Sequence, residues 1–372
     1  MIRNIHIVTN DKFDPSLPFE RTDSKNRYIC YVRHIDEPIL YLNKNVFEAM
    51  DHKTIMSVII KGEYDNIFFH PLLPIWYDLV MAVPADKRII WCMFGAEFYQ
   101  NPYFERLIDQ HISLYKPLTL QWVQHNLKAR LSIWQYIKRP LRYCKRQWVL
   151  YNVMKRIDYV APVYTIEMEL LKHIRGFRAK LFPFNYPTNF SDNLPAESNE
   201  TGKYIIVGNS AYPLNNHLDI LSLMMERNIV DNELYFPLAY GVDTYNEMLQ
   251  ETLKVMPFQY KIQDKVIPFN EYQDIMSQCD VAICPVIRQA SAGLIYLNLY
   301  LGKKVFLYEN SIAYKYLTNE GYRVFSIEKE LTPSSIKTGL PESVIQSNRE
   351  KVINQVSLDS IVKRIRFTLE SL

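Results

Sequence analysis

KYIIVGNSAYPLNNHLDILSLMM, residues 203–225, decides how the rest of the chain is read. Tyr204 to Val207 are four apolar or aromatic residues in a row, and they run straight into Gly208-Asn209-Ser210. After a short polar turn an apolar pattern resumes at Leu218, Ile220, Leu221, Leu223 and Met224, so the stretch reads as strand, tight turn and helix. That is one β-loop-α unit of an open α/β sheet. The loop of such a unit sits at the carboxyl end of the strand and feeds a helix N-terminus, whose free N–H groups and dipole favour an anion. Gly208 lets backbone approach a ligand, and Asn209, Ser210, Asn215, Asn216 and His217 crowd hydrogen-bonding groups into the same few residues. An ordinary turn with Ser and Asn caps is the plain alternative. GNSAYPLNNH is too polar, for too long, to serve capping alone.

Downstream the pattern repeats. Strands are predicted at 203–208, 233–239, 264–267, 280–285, 303–308 and 322–327, separated by helices at 214–227, 243–255, 270–278, 291–301 and 311–319. Alternation of this kind means right-handed βαβ units and a parallel sheet. Upstream, PTNFSDNLPAESNETG is rich in Pro, Asn and Ser and reads as an exposed linker over 187–202. Before it, IHIV, NIFFHPL, RIIWCMFGAEFY and DYVAPV are short apolar runs of the sort that parallel strands covered on both faces show. Covering helices are predicted at 72–82, 103–112 and 119–137, and after DYVAPV in TIEMELLKHI. The expected domains are therefore 1–186 and 203–342, with an amphipathic C-terminal run, 343–372, crossing back onto the first.

With 372 residues the chain has length for two cores. A hydrophobic fraction of 48% and a charged fraction of 22% are those of a globular protein, and a net charge of +3 selects no partner. The five cysteines are scattered without metal or disulfide spacing, which fits a reducing cytoplasm. Residues 1–9, MIRNIHIVT, are too short and polar for a signal peptide, and no apolar run approaches the roughly 18 residues of a membrane span. The expectation is a protein neither exported nor transmembrane.

Four stretches end strands of the second half: GNSAYPLNNH, the PLAYG that contains Tyr240, Arg288-Gln289 ahead of Ser291 and Gly293, and Glu309-Asn310. Together they match a nucleoside diphosphate. Arg288 can fork onto phosphate oxygens, and Glu309 can accept from a ribose diol as acidic residues do in dinucleotide sites. Taken singly, Tyr240 reads as a packing residue, Arg288 as a surface ion pair and Glu309 as a residue favoured by the helix dipole. No Asp-x-Asp and no metal-spaced cluster occurs, so metal ligands are expected to be none and a cofactor none.

These motifs, in this order between residues 208 and 310, resemble the TDP-N-acetylfucosamine:lipid II N-acetylfucosaminyltransferase family, the 4-alpha-L-fucosyltransferase group of glycosyltransferase family 56. Ala239 stands where the family has glycine, and Ala290-Ser291 where it has Gln-Gly, which leaves the donor open. FGAEFY, 94–99, is similar to the family's Trp-Gly-Ala-Asp-Leu-Tyr. The implied fold is GT-B, two Rossmann-like α/β domains whose parallel sheets face a central cleft. The implied activity is metal-independent transfer of a deoxy-amino sugar from a nucleoside diphosphate, TDP-linked in the family, to a polyprenyl-diphosphate-linked glycan in bacterial surface polysaccharide assembly. An acceptor hydroxyl must lose a proton, and Glu97 is the first candidate base, with His70 the second. For His70 a structural role as the hydrogen-bonded partner of a loop stands beside the catalytic one. A UDP- or GDP-hexose donor, or a nucleotide-sugar-binding module without catalysis, are the alternatives.

Residues 124–156 hold nine Lys or Arg and no acidic residue, interleaved with Trp134, Tyr136, Tyr143, Trp148 and Tyr151. Such a segment suits an anionic membrane surface, reached through Lys128, Arg130, Lys138, Arg139, Arg142, Lys145 and Arg146. Nucleic acid attracts the same composition but is not the expected partner, and a solvated charged face is the structural alternative. Pro140 is expected to break the run into two pieces. The resulting expectation is a peripheral protein at the cytoplasmic face of the inner membrane.

Overall fold

The computed structural model describes residues 2–9, 14–34, 42–127, 139–187 and 204–372, with the backbone alone for Arg139, Pro140, Phe269 and Asn270. Thirteen strands are present among them: β1 Arg3–Val8, β2 Lys25–Tyr31, β3 Phe47–Met50, β4 Asn66–His70, β5 Arg88–Cys92, β6 Tyr159–Ala161, β7 Lys180–Leu181, β8 Tyr204–Val207, β9 Glu233–Pro237, β10 Tyr260–Gln263, β11 Cys279–Cys284, β12 Lys304–Leu307 and β13 Phe325–Ser326. They form two sheets, one ordered β3-β2-β1-β4-β5-β6-β7 and the other β10-β9-β8-β11-β12-β13. Every pairing is parallel.

Both sheets wind the same way. Strand order runs outward in one direction, returns to the middle and runs outward in the other, so each sheet has one place where consecutive crossovers leave on opposite sides. In the second sheet that place lies between β8 and β11, whose residues pair directly, Ile206 with Ala282 and Val207 with Ile283. In open α/β sheets the ligand crevice lies at such a place, outside the carboxyl ends of the strands, which here would make the loops after β8 and β11 its walls.

The chain divides into two compact units, one built from Met1–His111, Leu131–Pro187 and Val356–Leu372, the other from Ile112–Arg130 and Thr188–Gln355. Two placements differ from the sequence boundaries. Ile112–Arg130 goes with the second unit although it lies well inside the first half of the chain. The C-terminal run is also split. Ser357 caps a new helix by accepting from Ser360 N–H, so Glu342–Val356 and Leu358–Ser371 are separate helices. The earlier helix is tied to the second unit, where Asn348 Oδ1 accepts from Arg323 N–H at 2.9 Å and Arg349 donates to the Tyr300 carbonyl at 2.8 Å. The later one adds Ile361, Ile365 and Leu369 to the first unit's core beside Val8, Phe19, Tyr28 and Phe182.

Central strands follow their apolar runs, and edge strands do not. β4 is buried at every residue, whereas no residue of β10, at the sheet's edge, is buried. That is why β10 lies at Tyr260–Gln263 and not at 264–267. A strand paired on one side only needs no continuous apolar run. β3 and β7, the other sheet's edges, fall outside the predicted strands for the same reason, and β2, though paired on both sides, opens with Lys-Asn-Arg and so has no continuous apolar run.

Candidate functional site

The loop after β8 is shaped by its own polar residues. Gly208 has φ 69°, and a Cβ there would lie 2.6 Å from His217 Nε2 and 2.9 Å from Asn215 Oδ1, so no other residue fits. Asn215 Oδ1 accepts from Asn209 N–H at 3.1 Å, while its Nδ2 donates to the carbonyl and hydroxyl of Ser210, both at 3.0 Å. Asn216, fully buried in a left-handed conformation, donates to the Leu214 and Pro285 carbonyls and accepts from Lys116 N–H at 2.7 Å. His217 opens the helix His217–Glu226 from a buried position beside Phe236 and Tyr245. Desolvation lowers its pKa to about 3, so the imidazole stays neutral. Asn215 and Asn216, expected to face a ligand, thus spend their side chains on the protein, whereas both ring nitrogens of His217 are buried without a hydrogen-bond partner among the described residues. Asn209, half-buried beside Gly208, and Tyr212, 41% exposed, are the residues of this loop whose side chains reach solvent.

Across the crevice the loop after β11 leads into the helix Ala292–Tyr300. Ser291 precedes it with φ 59°, an unusual conformation for a non-glycine residue, and Gly293 in the first turn has open space where a Cβ would be. Arg288 donates to the Gln289 carbonyl at 2.6 Å. Gln289 is 7% exposed. Its Oε1, like the Ser291 hydroxyl, is buried with no hydrogen-bond partner among the described residues. Buried polar groups are nearly always paired, so these two atoms make the loop a candidate ligand site. A helix N-terminus, a guanidinium and two unpaired polar atoms in one short loop make an anion site of the kind phosphates occupy.

The neighbouring strand supplies a third loop. Ile312 N–H donates to the Ile287 carbonyl at 2.9 Å, which fixes the turn after β12 to the turn after β11. Glu309 lies in that turn with its carboxylate 2.9 Å from Lys329 Nζ, and both the ion pair and a side-chain hydrogen bond lower its pKa, so it is ionised. Ser311, two residues on, caps the next helix through Tyr314 N–H. Tyr240 sits one strand away on the other side, 48% exposed, its carbonyl accepting from Ala211 N–H. Gly241 beside it has φ 151°, and a Cβ there would lie 2.3 Å from the Ala211 backbone, so the loops after β8 and β9 meet too closely for a side chain.

One contributor is invisible in the linear order. The segment carrying the helix Pro117–Asn126 docks on the start of His217–Glu226, where Asp219 accepts from the N–H groups of Leu118 and Thr119 and from the Thr119 hydroxyl at 2.9, 3.0 and 2.6 Å. Lys116 Nζ lies 3.3 Å from Glu328 and 4.0 Å from the Tyr308 ring centroid. The Lys-Pro preceding Leu-Thr signals a helix start, but nothing in that signal says which unit receives it.

Residues 147–353, more than half of the chain, match the family model described as 4-alpha-L-fucosyltransferase glycosyl transferase group 56. The chain belongs to glycosyltransferase group 56. Similar solved structures include HepE from Anabaena in complex with UDP, with a TM-score of 0.66 and 13% identity over 100% of both chains. A glycosyltransferase from Rickettsia africae ESF-5 gives 0.62 and 12% over 100% of this chain and 97% of that one. Sucrose-phosphate synthase from Thermosynechococcus elongatus gives 0.60 and 10% over 100% and 99%. No curated protein sequence matches the chain. The fold of this group 56 glycosyltransferase is GT-B, as its two parallel Rossmann-like sheets require.

The two residues expected to handle a proton lie in the first unit of the glycosyltransferase. Gly95, with φ 103°, turns the chain after β5, and Glu97 sits in the following short helix, 3% exposed. Its Oε1 accepts from Phe94 N–H at 2.7 Å and from Trp91 Nε1–H at 3.1 Å. His70 is fully buried. Asn26 Oδ1 accepts from the Asn4 amide and the Ser24 hydroxyl, so the His6 Nε2 facing it at 3.4 Å donates. His6 Nδ1 therefore accepts from His70 Nε2–H at 3.1 Å, and His70 Nδ1 accepts from the Tyr186 hydroxyl. Both His70 nitrogens are committed, and burial with His6 alongside holds its pKa well below the ordinary value. With both nitrogens engaged, His70 reads as the hydrogen-bonded structural histidine that stood beside its catalytic role.

Among the described residues no group of three or more His, Cys, Asp or Glu could hold a metal ion. Nor is any described helix long and apolar enough to cross a membrane.

Proposed function

We propose that this glycosyltransferase transfers a deoxy-amino hexose from a pyrimidine nucleoside diphosphate, TDP-linked by family resemblance, to a polyprenyl-diphosphate-linked glycan. The observation that carries it is the crevice between β8 and β11, where Arg288, the unpaired Gln289 and Ser291 atoms and the N-terminus of Ala292–Tyr300 converge. In this account the diphosphate lies on that helix start, with Asn209 and Gly208 against it from the opposite loop. Glu309 turns from Lys329 to a ribose hydroxyl, an exchange open to a half-exposed ion pair. Asn310 and Tyr240 flank it. That HepE was solved with UDP supports a pyrimidine nucleotide. The Glu97 carboxylate takes the proton of the acceptor hydroxyl, and its Oε1 also keeps the loop in shape.

The account is tested by thermal denaturation with TDP, UDP and GDP. A ligand that binds the native state alone stabilises it by about 2.7 kcal/mol at one hundred times its Kd. TDP or UDP is expected to raise Tm by roughly 5 °C or more under those conditions, with GDP well behind. A Tm unmoved by all three contradicts the donor site.

A membrane-facing helix completes the proposal. Arg139–Arg156 begins at the predicted break, with Pro140 in its first turn, and buries Leu150, Val153 and Met154. On the other side Leu141 is 75% and Trp148 69% exposed, alongside Arg142 and Lys145, with Arg146 half-buried. Basic residues interleaved with a large aromatic and a leucine suit the anionic headgroups above a polyprenyl-linked acceptor, at the cytoplasmic face of the inner membrane. Lys128, Arg130 and Lys138 lie outside the described residues, as does the Arg139 side chain. In flotation with vesicles rich in phosphatidylglycerol, wild type is expected to rise with the lipid and R142E/K145E/W148A to stay behind by severalfold. Equal flotation of the two proteins would leave this helix a solvated face.

A further inference from the structure

A cavity of about 410 Å³ lies in the second unit, lined by Ser113, Tyr115, Lys116, Pro117, Leu120, Gln121, Gln124 and Asn310. All but Asn310 come from the docked segment, which precedes the part of the chain that matches the family. Its wall is rigid. Asp219 holds the start of Pro117–Asn126, Trp122 packs edge-on against Tyr245 at 4.9 Å, and Thr119 and Val123 are buried beneath. Leu120, Gln121 and Gln124, spaced three and four apart along the helix, share the face turned to the cavity.

The lining chemistry is selective. Three carboxamides and two hydroxyls each offer both a donor and an acceptor, as sugar hydroxyls do. Leu120 and the Tyr115 ring give an apolar patch for the C–H face of a ring. An anion would need net positive charge, and Lys116, which itself lines the cavity, is already paired with Glu328 at 3.3 Å. Position agrees with chemistry. Asn310 follows β12, whose turn is bonded to the turn carrying Arg288, and Arg288 acts electrostatically on Tyr115.

The geometry points to this cavity as the receptor for an uncharged hexopyranose ring, held by Gln121, Gln124 and Asn310 next to the diphosphate. The inference rests on the donor site proposed above. The ring is either the sugar of the nucleotide donor or the terminal sugar of the glycan acceptor.

Q121A and Q124A, singly and together, separate these sources, since both side chains are exposed. Calorimetric titration with TDP and UDP, then with the corresponding nucleotide hexoses, is combined with initial rates against acceptor concentration. Bare nucleotide affinity is expected to stay within about twofold of wild type. Nucleotide-hexose affinity falls about tenfold or more in the double variant if the ring is the donor's, and the acceptor KM rises by a similar factor at unchanged donor affinity if it is the acceptor's. Variants equal to wild type in both arms overturn the inference and leave the donor site standing. So does an equal loss of bare nucleotide affinity, which would make the cavity a nucleoside pocket. A wild-type protein that binds neither nucleotides nor nucleotide sugars removes the donor site and this inference together.

Discussion

Glu97→Gln is expected to fold as wild type does and to lose glycosyl transfer by about 10²- to 10⁴-fold, the range over which a positioned general base acts. Glutamine keeps an oxygen where Glu97 Oε1 accepts from Phe94 N–H and Trp91 Nε1–H, so the turn at Gly95 survives. What disappears is the negative charge and the capacity to take a proton. Donor affinity should be unchanged, because no donor group is assigned to the first unit. Glu97→Ala is a different experiment: it strands two buried donors at a cost of about 1–3 kcal/mol and confounds chemistry with stability. Turnover of E97Q within a few-fold of wild type would reduce Glu97 to a residue that shapes a loop, and the base would have to be sought elsewhere.

The second large effect is expected at Arg288. Hydrogen bonds to charged groups are worth about 1.5–3 kcal/mol, so Arg288→Ala should weaken nucleoside diphosphate binding by roughly 10- to 100-fold. Arg288→Lys restores the charge without the planar fork and is expected to recover only part of that loss. Titration of TDP or UDP into the three proteins measures it, with the unliganded Tm as control. The guanidinium bonds the neighbouring Gln289 carbonyl, so a small fall in Tm is compatible with the role. An affinity equal to wild type in R288A would return Arg288 to the status of an ordinary polar residue in a loop.

The second unit was the more legible half because its central strands carry continuous apolar runs, YIIV and the VAIC of Val281–Cys284, and the helix predicted at 243–255 is found at Asp243–Val255. Burial on both faces writes itself into composition. Edge strands escape that rule, which is why β10 was misplaced by four residues. The polar residues of GNSAYPLNNH show a different limit. Composition reveals that a loop is dense in hydrogen-bonding groups, but an asparagine that binds a ligand and one that clasps backbone have the same letter. Asn216 turned out to join the loops after β8 and β11 to the segment before Pro117, a connection across 100 residues of chain that no local pattern encodes. His70 shows the same limit from the other side, since its neutrality follows from His6, Asn26 and Tyr186, each distant in sequence.

Hydrogen exchange read by mass spectrometry with and without saturating TDP tests the donor site most directly. Amides from Gly208 to Ser210 and from Gln289 to Gly293 are expected to slow on binding, with the first unit's sheet unchanged. Nucleotide that binds while those two loops exchange at their free rates, and protects another surface instead, would contradict the assignment.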